Sequence, residues 1–140
     1  MNRIQAHRVR SSFDWFRPCG PAMIARVFRV LTDDHPGLRA MFPDDTTKLN
    51  KRYFETLGQI VKALPRWHSL EEPLMELGIA AAAAGASAVH HRVIRDVLLD
   101  TMASLAGEHW TEELAKDWML VLDAVSGAML RGAHGERAAA

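Results

Sequence analysis

The chain has 140 residues, 49% of them hydrophobic, and its 17 Lys and Arg balance its 17 Asp and Glu. That length and apolar content suit one domain with one core and exclude a disordered chain, while balanced charge gives no electrostatic reason to seek nucleic acid or anionic lipid. The one cysteine, Cys19, allows no internal disulfide and fits a reducing cytoplasm; Arg3, Arg8 and Arg10 have no apolar run behind them to make a secretory signal, and no run of about 18 apolar residues is present to span a membrane.

The period is helical nearly throughout, with no alternating strand and no Asn-Gly or Asp-Gly hairpin signal. Ser11 or Ser12 is expected to cap a first helix near Val9, Phe13 and Phe16. Pro18 to Pro21 breaks it or joins it to the next. Ile24, Val27, Phe28 and Leu31 recur at i, i+3, i+4 and i+7, one face of a second helix. His35-Pro36-Gly37 is a corner, followed by a short helical piece, Leu38–Phe42, that ends at Pro43. Asp44 to Thr47 offers caps for a third long helix, whose apolar positions are Leu49, Tyr53, Leu57, Ile60, Val61 and Leu64; Pro65 stops it. A polar stretch, 66–72, precedes a helix expected from Pro73 to a left-handed cap at Gly85. Another starts near His90, carries Ile94, Leu98, Met102 and Leu105, and closes at Gly107. Thr111, with Glu112 and Glu113 in the first turn, begins the last helix, which places Leu114, Trp118, Val121, Val125 and Ala128 on one face. The tail from Gly132 to Ala140 reads as frayed. One all-α domain, 1–140 with its core over about 9–131, is therefore expected, with six or seven helices; a four-helix bundle and a globin-type fold both fit that count.

Several phrases decide between them. Val9–Phe13, Ile24-Ala-Arg-Val-Phe28, Pro36-Gly-Leu-Arg-Ala-Met-Phe42, Leu57-Gly58, Leu77-Gly78, Gly85 and Trp118 fall in globin order and spacing. The chain resembles a bacterial single-domain globin, close to the neuroglobin-like and flavohaemoglobin-type branch, over about Val9 to Arg131. The resemblance implies the globin fold and a haem site. Such globins commonly read Leu-Gly-Arg-Arg-His-x-x-x-Gly where this chain reads Leu77-Gly78-Ile79 and then five alanines before Gly85. Register for register the proximal histidine falls on Ala81, which has no lone pair for iron. The distal His or Gln falls on Leu49, and the tyrosine common on the second helix falls on Ile24. The phenylalanine that packs on the haem survives as Phe42, and Tyr53 replaces a small aliphatic residue.

Three polar roles are thus taken by apolar side chains, and the resemblance then implies a degenerate globin with no cofactor and no metal, a sensory, ligand-binding or interaction module rather than an enzyme. Its pocket would be Ile24, Phe42, Leu49, Tyr53 and Ala81. An empty pocket of about 300 Å³ costs on the order of 7 kcal/mol. The space is therefore expected to be filled by Tyr53, Phe42 and Met41 or Met75, closed by inward movement of the alanine helix, or occupied by an elongated apolar molecule. A protein partner, or a homodimer through the last two helices, is the other expected association. The alternative is a haem-binding globin, for gas or redox chemistry, with a substitute axial ligand: His91, His90 or Tyr53. No His-x-x-x-His or Cys/His cluster, phosphate loop or Gly-x-Ser-x-Gly supports zinc, nucleotide or hydrolytic chemistry.

Overall fold

The computed structural model describes residues 1–135, and all of its regular structure is helical. Helix α1 (Arg3–Phe13) is started by Asn2, not by Ser11 or Ser12: the Asn2 side chain accepts the Gln5 N–H while Gln5 Oε1 accepts the Asn2 N–H, a reciprocal capping box. Ser12 has another task. Its buried hydroxyl donates to the Val9 carbonyl at 2.8 Å and accepts Trp118 Nε1–H at 2.9 Å. A 3₁₀ segment, Asp14–Cys19, absorbs Pro18 and leads into α2 (Gly20–Asp34), which carries Pro21 in its first turn, where no N–H is needed. Ile24, Val27, Phe28 and Leu31 are all buried, as the spacing predicts.

The corner at His35 opens a 3₁₀ turn, Pro36–Met41, and α3 follows (Thr47–Ala63). Asp45 serves the start of α3 from outside it: Oδ1 accepts both the Thr47 N–H and its hydroxyl, and these bonds hold the carboxyl below its ordinary range. Helix α4 (His68–Ala83) begins five residues before the expected Pro73, which lies inside it. A proline there forfeits only the bond to the Ser69 carbonyl, close to the helix start. Its end is as predicted: Gly85 at φ 101° lets Ala86 N–H reach the Ala81 carbonyl and Gly85 N–H the Ala82 carbonyl, the Schellman arrangement. Helix α5 (Ala88–Ala106) is capped by Ser87 and stops at Gly107, φ 57°; α6 (Glu112–Ala133) is capped by the Thr111 hydroxyl, which accepts Leu114 N–H at 3.1 Å. Since α6 runs to Ala133, Gly132 is helical and buried rather than frayed; the last five positions of the expected tail lie outside the described residues.

The core is one cluster drawn from every long helix, with Trp118 at its centre, fully buried against Phe13. An ion pair flanks it: Asp117, itself buried, holds Arg8 of α1. The feature that places the functional region is the seat of α4. It packs extensively on α6 and barely touches α3. The α4–α6 approach is close enough to require glycine on both sides: a Cβ at Gly78 would collide with the Met129 carbonyl, and one at Gly132 with the Met75 carbonyl.

Candidate functional site: the slot between α3 and α4

With α4 held on α6, α3 and α4 stand apart. On α3, Leu49 and Tyr53 share a face one turn apart. On α4, Leu77 and Ala81 share a face beside the glycine face that meets α6. Tyr53 is 45% exposed and Leu77 41%. Both side chains can be reached from outside, so these two residues do not lie in an enclosed cavity.

The second helix supplies the back of the slot. Phe28 of α2 meets Phe42 at a ring separation of 4.8 Å and meets Tyr53 edge-on at 5.1 Å. Ile24, one turn earlier on α2, is buried. Phe42, Tyr53 and, by position, Leu49 and Ile24 are thus brought together through Phe28. Sequence reasoning assigned Phe28 only to the core; its i, i+4 relation to Ile24 was the available signal. Ala81 is not packed against this group. It lies across the slot, half-buried, with its carbonyl tied to Ala86.

Tyr53 packs edge-on against Phe28 yet keeps much of its surface exposed. Among the described residues its hydroxyl has no hydrogen-bond partner, and lost hydration pushes its pKa above the ordinary tyrosine value, against a smaller lowering by Arg52. The phenol is therefore held neutral. The two histidines differ. His90 stands at the third position of α5 and its Nδ1 accepts the Ser87 N–H at 3.0 Å, completing the helix cap. His91 is half-buried, its ring has no hydrogen-bond partner among the described residues, and its pKa is lowered first by burial and then by the neighbouring His90. Its imidazole is held neutral, with a lone pair to offer. It sits one turn ahead of Ile94 and Arg95, on the side of α5 that continues to buried Leu98. Among the described residues no group of three or more His, Cys, Asp or Glu is gathered as for a bare metal ion, and no helix is long and apolar enough to cross a membrane.

This arrangement of helices is the globin fold. An engineered carbene transferase, made from a protein described as a nitric oxide dioxygenase of Rhodothermus marinus, superposes with a TM-score of 0.85 over 96% of this chain and 94% of its own, at 19% identity. A bacterial globin from Campylobacter jejuni does so with a TM-score of 0.84 over 96% of this chain and 97% of its own, at 12% identity. Among sequences, leghemoglobin-1 of Lupinus luteus is 23% identical over 134 residues, 86% of this chain and 87% of the relative. No protein-family model matches the sequence.

These similarities correct the expectation of a chain without cofactor: the globin neighbours and the leghemoglobin match point to haem. The expectation rested on the residue at one position, Ala81, whereas the seat of α4 on α6 is set by the glycine contacts and does not depend on that residue. Leu49 and Tyr53 on α3 and Leu77 and Ala81 on α4 are apolar, as the two faces of a flat apolar ring require, and the neutral imidazole of His91 on α5 is a nitrogen of the kind that iron takes.

Proposed function

We propose that the chain is a haem-carrying, gas-binding globin whose axial nitrogen comes from His91 instead of from position 81. Haem, when bound, supplies an iron centre open to small diatomic molecules. The protein's own residues do the rest. Leu49 and Tyr53 form one apolar wall, Leu77 and Ala81 the other, and Phe28 and Phe42 close the back.

The observation that carries the reading is the contrast among the three candidate ligands. The Nδ1 of His90 is engaged at the helix cap, Tyr53 is kept protonated, and His91 alone is half-buried, neutral and unengaged among the described residues. Burial that disfavours imidazolium also favours the form that coordinates metal. The four-residue join 84–87, clasped by the Ala81 carbonyl and Ala86 N–H, brings the start of α5 directly after the alanine turn.

The test is haem titration of the purified protein, read by absorption and by resonance Raman of the iron–nitrogen stretch. The wild type is expected to take up one haem with an iron–imidazole signature. His91→Ala should lose that signature, and His90→Ala should keep it. Absence of stoichiometric uptake, or a His91→Ala spectrum identical to wild type with circular dichroism unchanged, would overturn the assignment.

A further inference from the structure

A second concavity lies on the other side of α3. Residues Lys51, Glu55, Gly58 and Lys62 run down α3 about half a turn round from Leu49 and Tyr53, at spacings of four, three and four. Facing them, α1 carries Arg3, His7, Arg10 and, at its end, Asp14 in the same periodic relation. Between the two helices is a groove of about 750 Å³ that includes Arg10, Arg17, Lys62, Phe54 and Gly58 in its lining, within the range of small-molecule sites. It shares no lining residue with the slot.

The charge in this groove is uneven in a chain whose net charge is zero. Arg17 is already spoken for: it bonds Asp14 at 2.7 Å and lies over the Phe13 ring at 5.0 Å. That leaves Glu55 as the one carboxylate lining the groove against Arg10, Lys62 and His7; α1 and α3 run antiparallel, so Arg3 and Lys51 lie beyond the groove at opposite ends. Among the described residues none of Arg3, Arg10, Lys51 and Lys62 has an ion-pair partner. Cations held on both banks of one groove repel each other unless an anion comes between them. The floor is of another kind. Phe13 and Phe54 stack at 5.0 Å with planes 19° apart, and Phe54 is only partly buried. Gly58 leaves the floor bare; a Cβ there would already press on the Phe13 ring at 3.3 Å.

Cationic banks over an aromatic floor match a ligand with one flat ring and several negative oxygens. We infer that the α1–α3 groove binds a nucleoside polyphosphate, with the phosphates between Arg10 and Lys62 and the base over Phe54. Base–aromatic contact and phosphate–cation contact are independent contributions, so each is removable separately. The groove lies on α3 about half a turn round from the slot, so its occupant does not touch the residues assigned to haem.

Calorimetric titration of the full chain with ATP, at low salt and without haem, is the test. Binding in the tens of micromolar is expected, weakening as salt is raised. Arg10→Glu with Lys62→Glu should weaken ATP about tenfold or more. Both side chains are exposed, so the fold should hold, which circular dichroism checks. Tripolyphosphate should bind at least about tenfold more weakly than ATP. No detectable binding at millimolar ATP, an unchanged affinity in the double variant, or tripolyphosphate binding as tightly as ATP would each overturn the inference.

Discussion

Gly78→Ala isolates the contact on which the slot depends. In an ordinary helix interior the change is favourable, since alanine exceeds glycine by about 1 kcal/mol in helix propensity. At this position the new methyl meets the Met129 carbonyl oxygen, carbon and Cα. These are backbone atoms of α6 and cannot swing aside as a side-chain tip would. Overpacking against a fixed neighbour costs about 1–3 kcal/mol, and the upper end applies because relief requires α4 and α6 to separate as whole helices. The net is a loss of about 2 kcal/mol, which in a chain of this size lowers Tm by roughly 6–8 °C. Gly127→Ala is the internal control. It lies in the same helix as Met129, but its Cβ would meet only the end of Arg131 at 3.6 Å, an ordinary contact. That variant should gain up to about 1 kcal/mol. Differential scanning calorimetry and urea unfolding of both variants measure the pair. A Gly78→Ala protein as stable as the wild type, or more so, would refute the close α4–α6 seat.

Three further outcomes are expected. Trp118→Ala should lose about 3–5 kcal/mol by urea titration, whereas Trp118→Phe, which mainly deprives Ser12 of its donor, should lose about 1–2 kcal/mol; a Trp118→Phe protein as stable as the wild type would show that the hydrogen bond is not made. Asp45, held below its ordinary pKa by Thr47, contributes stability above the unfolded carboxylate value that disappears as pH falls through its lowered folded value, so Asp45→Asn should flatten the fall of Tm between about pH 5 and 3. If the position of Ala81 across the slot is the proximal one, Ala81→His in a His91→Ala background should restore the iron–imidazole signal, and failure to restore it while haem still binds would place the proximal side elsewhere.

Local chemistry made most of the helices legible. The stripe Ile24, Val27, Phe28 and Leu31 is buried as its spacing predicts, and Thr111 and Gly85 act as the caps their residue types suggest. Errors arose where a residue type has two uses. A serine caps helices, but Ser12 is recruited by Trp118, more than a hundred residues away, and no local pattern encodes that partner. Pro73 reads as a helix start, yet the turn before it is helical because forfeiting one early bond is cheap. Gly78 and Gly132 each read as incidental until the fold sets each against the other helix's backbone. The same holds for the site. Leu49, Tyr53 and Ala81 were assigned by register alone, whereas the separation of α3 from α4 follows from where α4 is anchored, which is a tertiary fact. The expectation of no cofactor leaned on single positions, while the similarity that points to haem extends over nearly the whole chain. The groove between α1 and α3 was invisible for a simpler reason: its two charged stripes lie some forty residues apart and make a pattern only when the helices meet.

The seat of α4 also has a mechanical meaning. A helix gripped along one side and free on the other behaves as a shelf fixed to a single wall. Its spacing from α6 cannot change without breaking two backbone-to-glycine contacts, whereas its spacing from α3 is opposed by almost nothing. The side of α4 that faces α6 is thus its anchored side, while the side that faces α3 carries few contacts. Helix α3 is itself seated on α2, so anything lying between α3 and α4 meets two helices that are each fixed to a different neighbour.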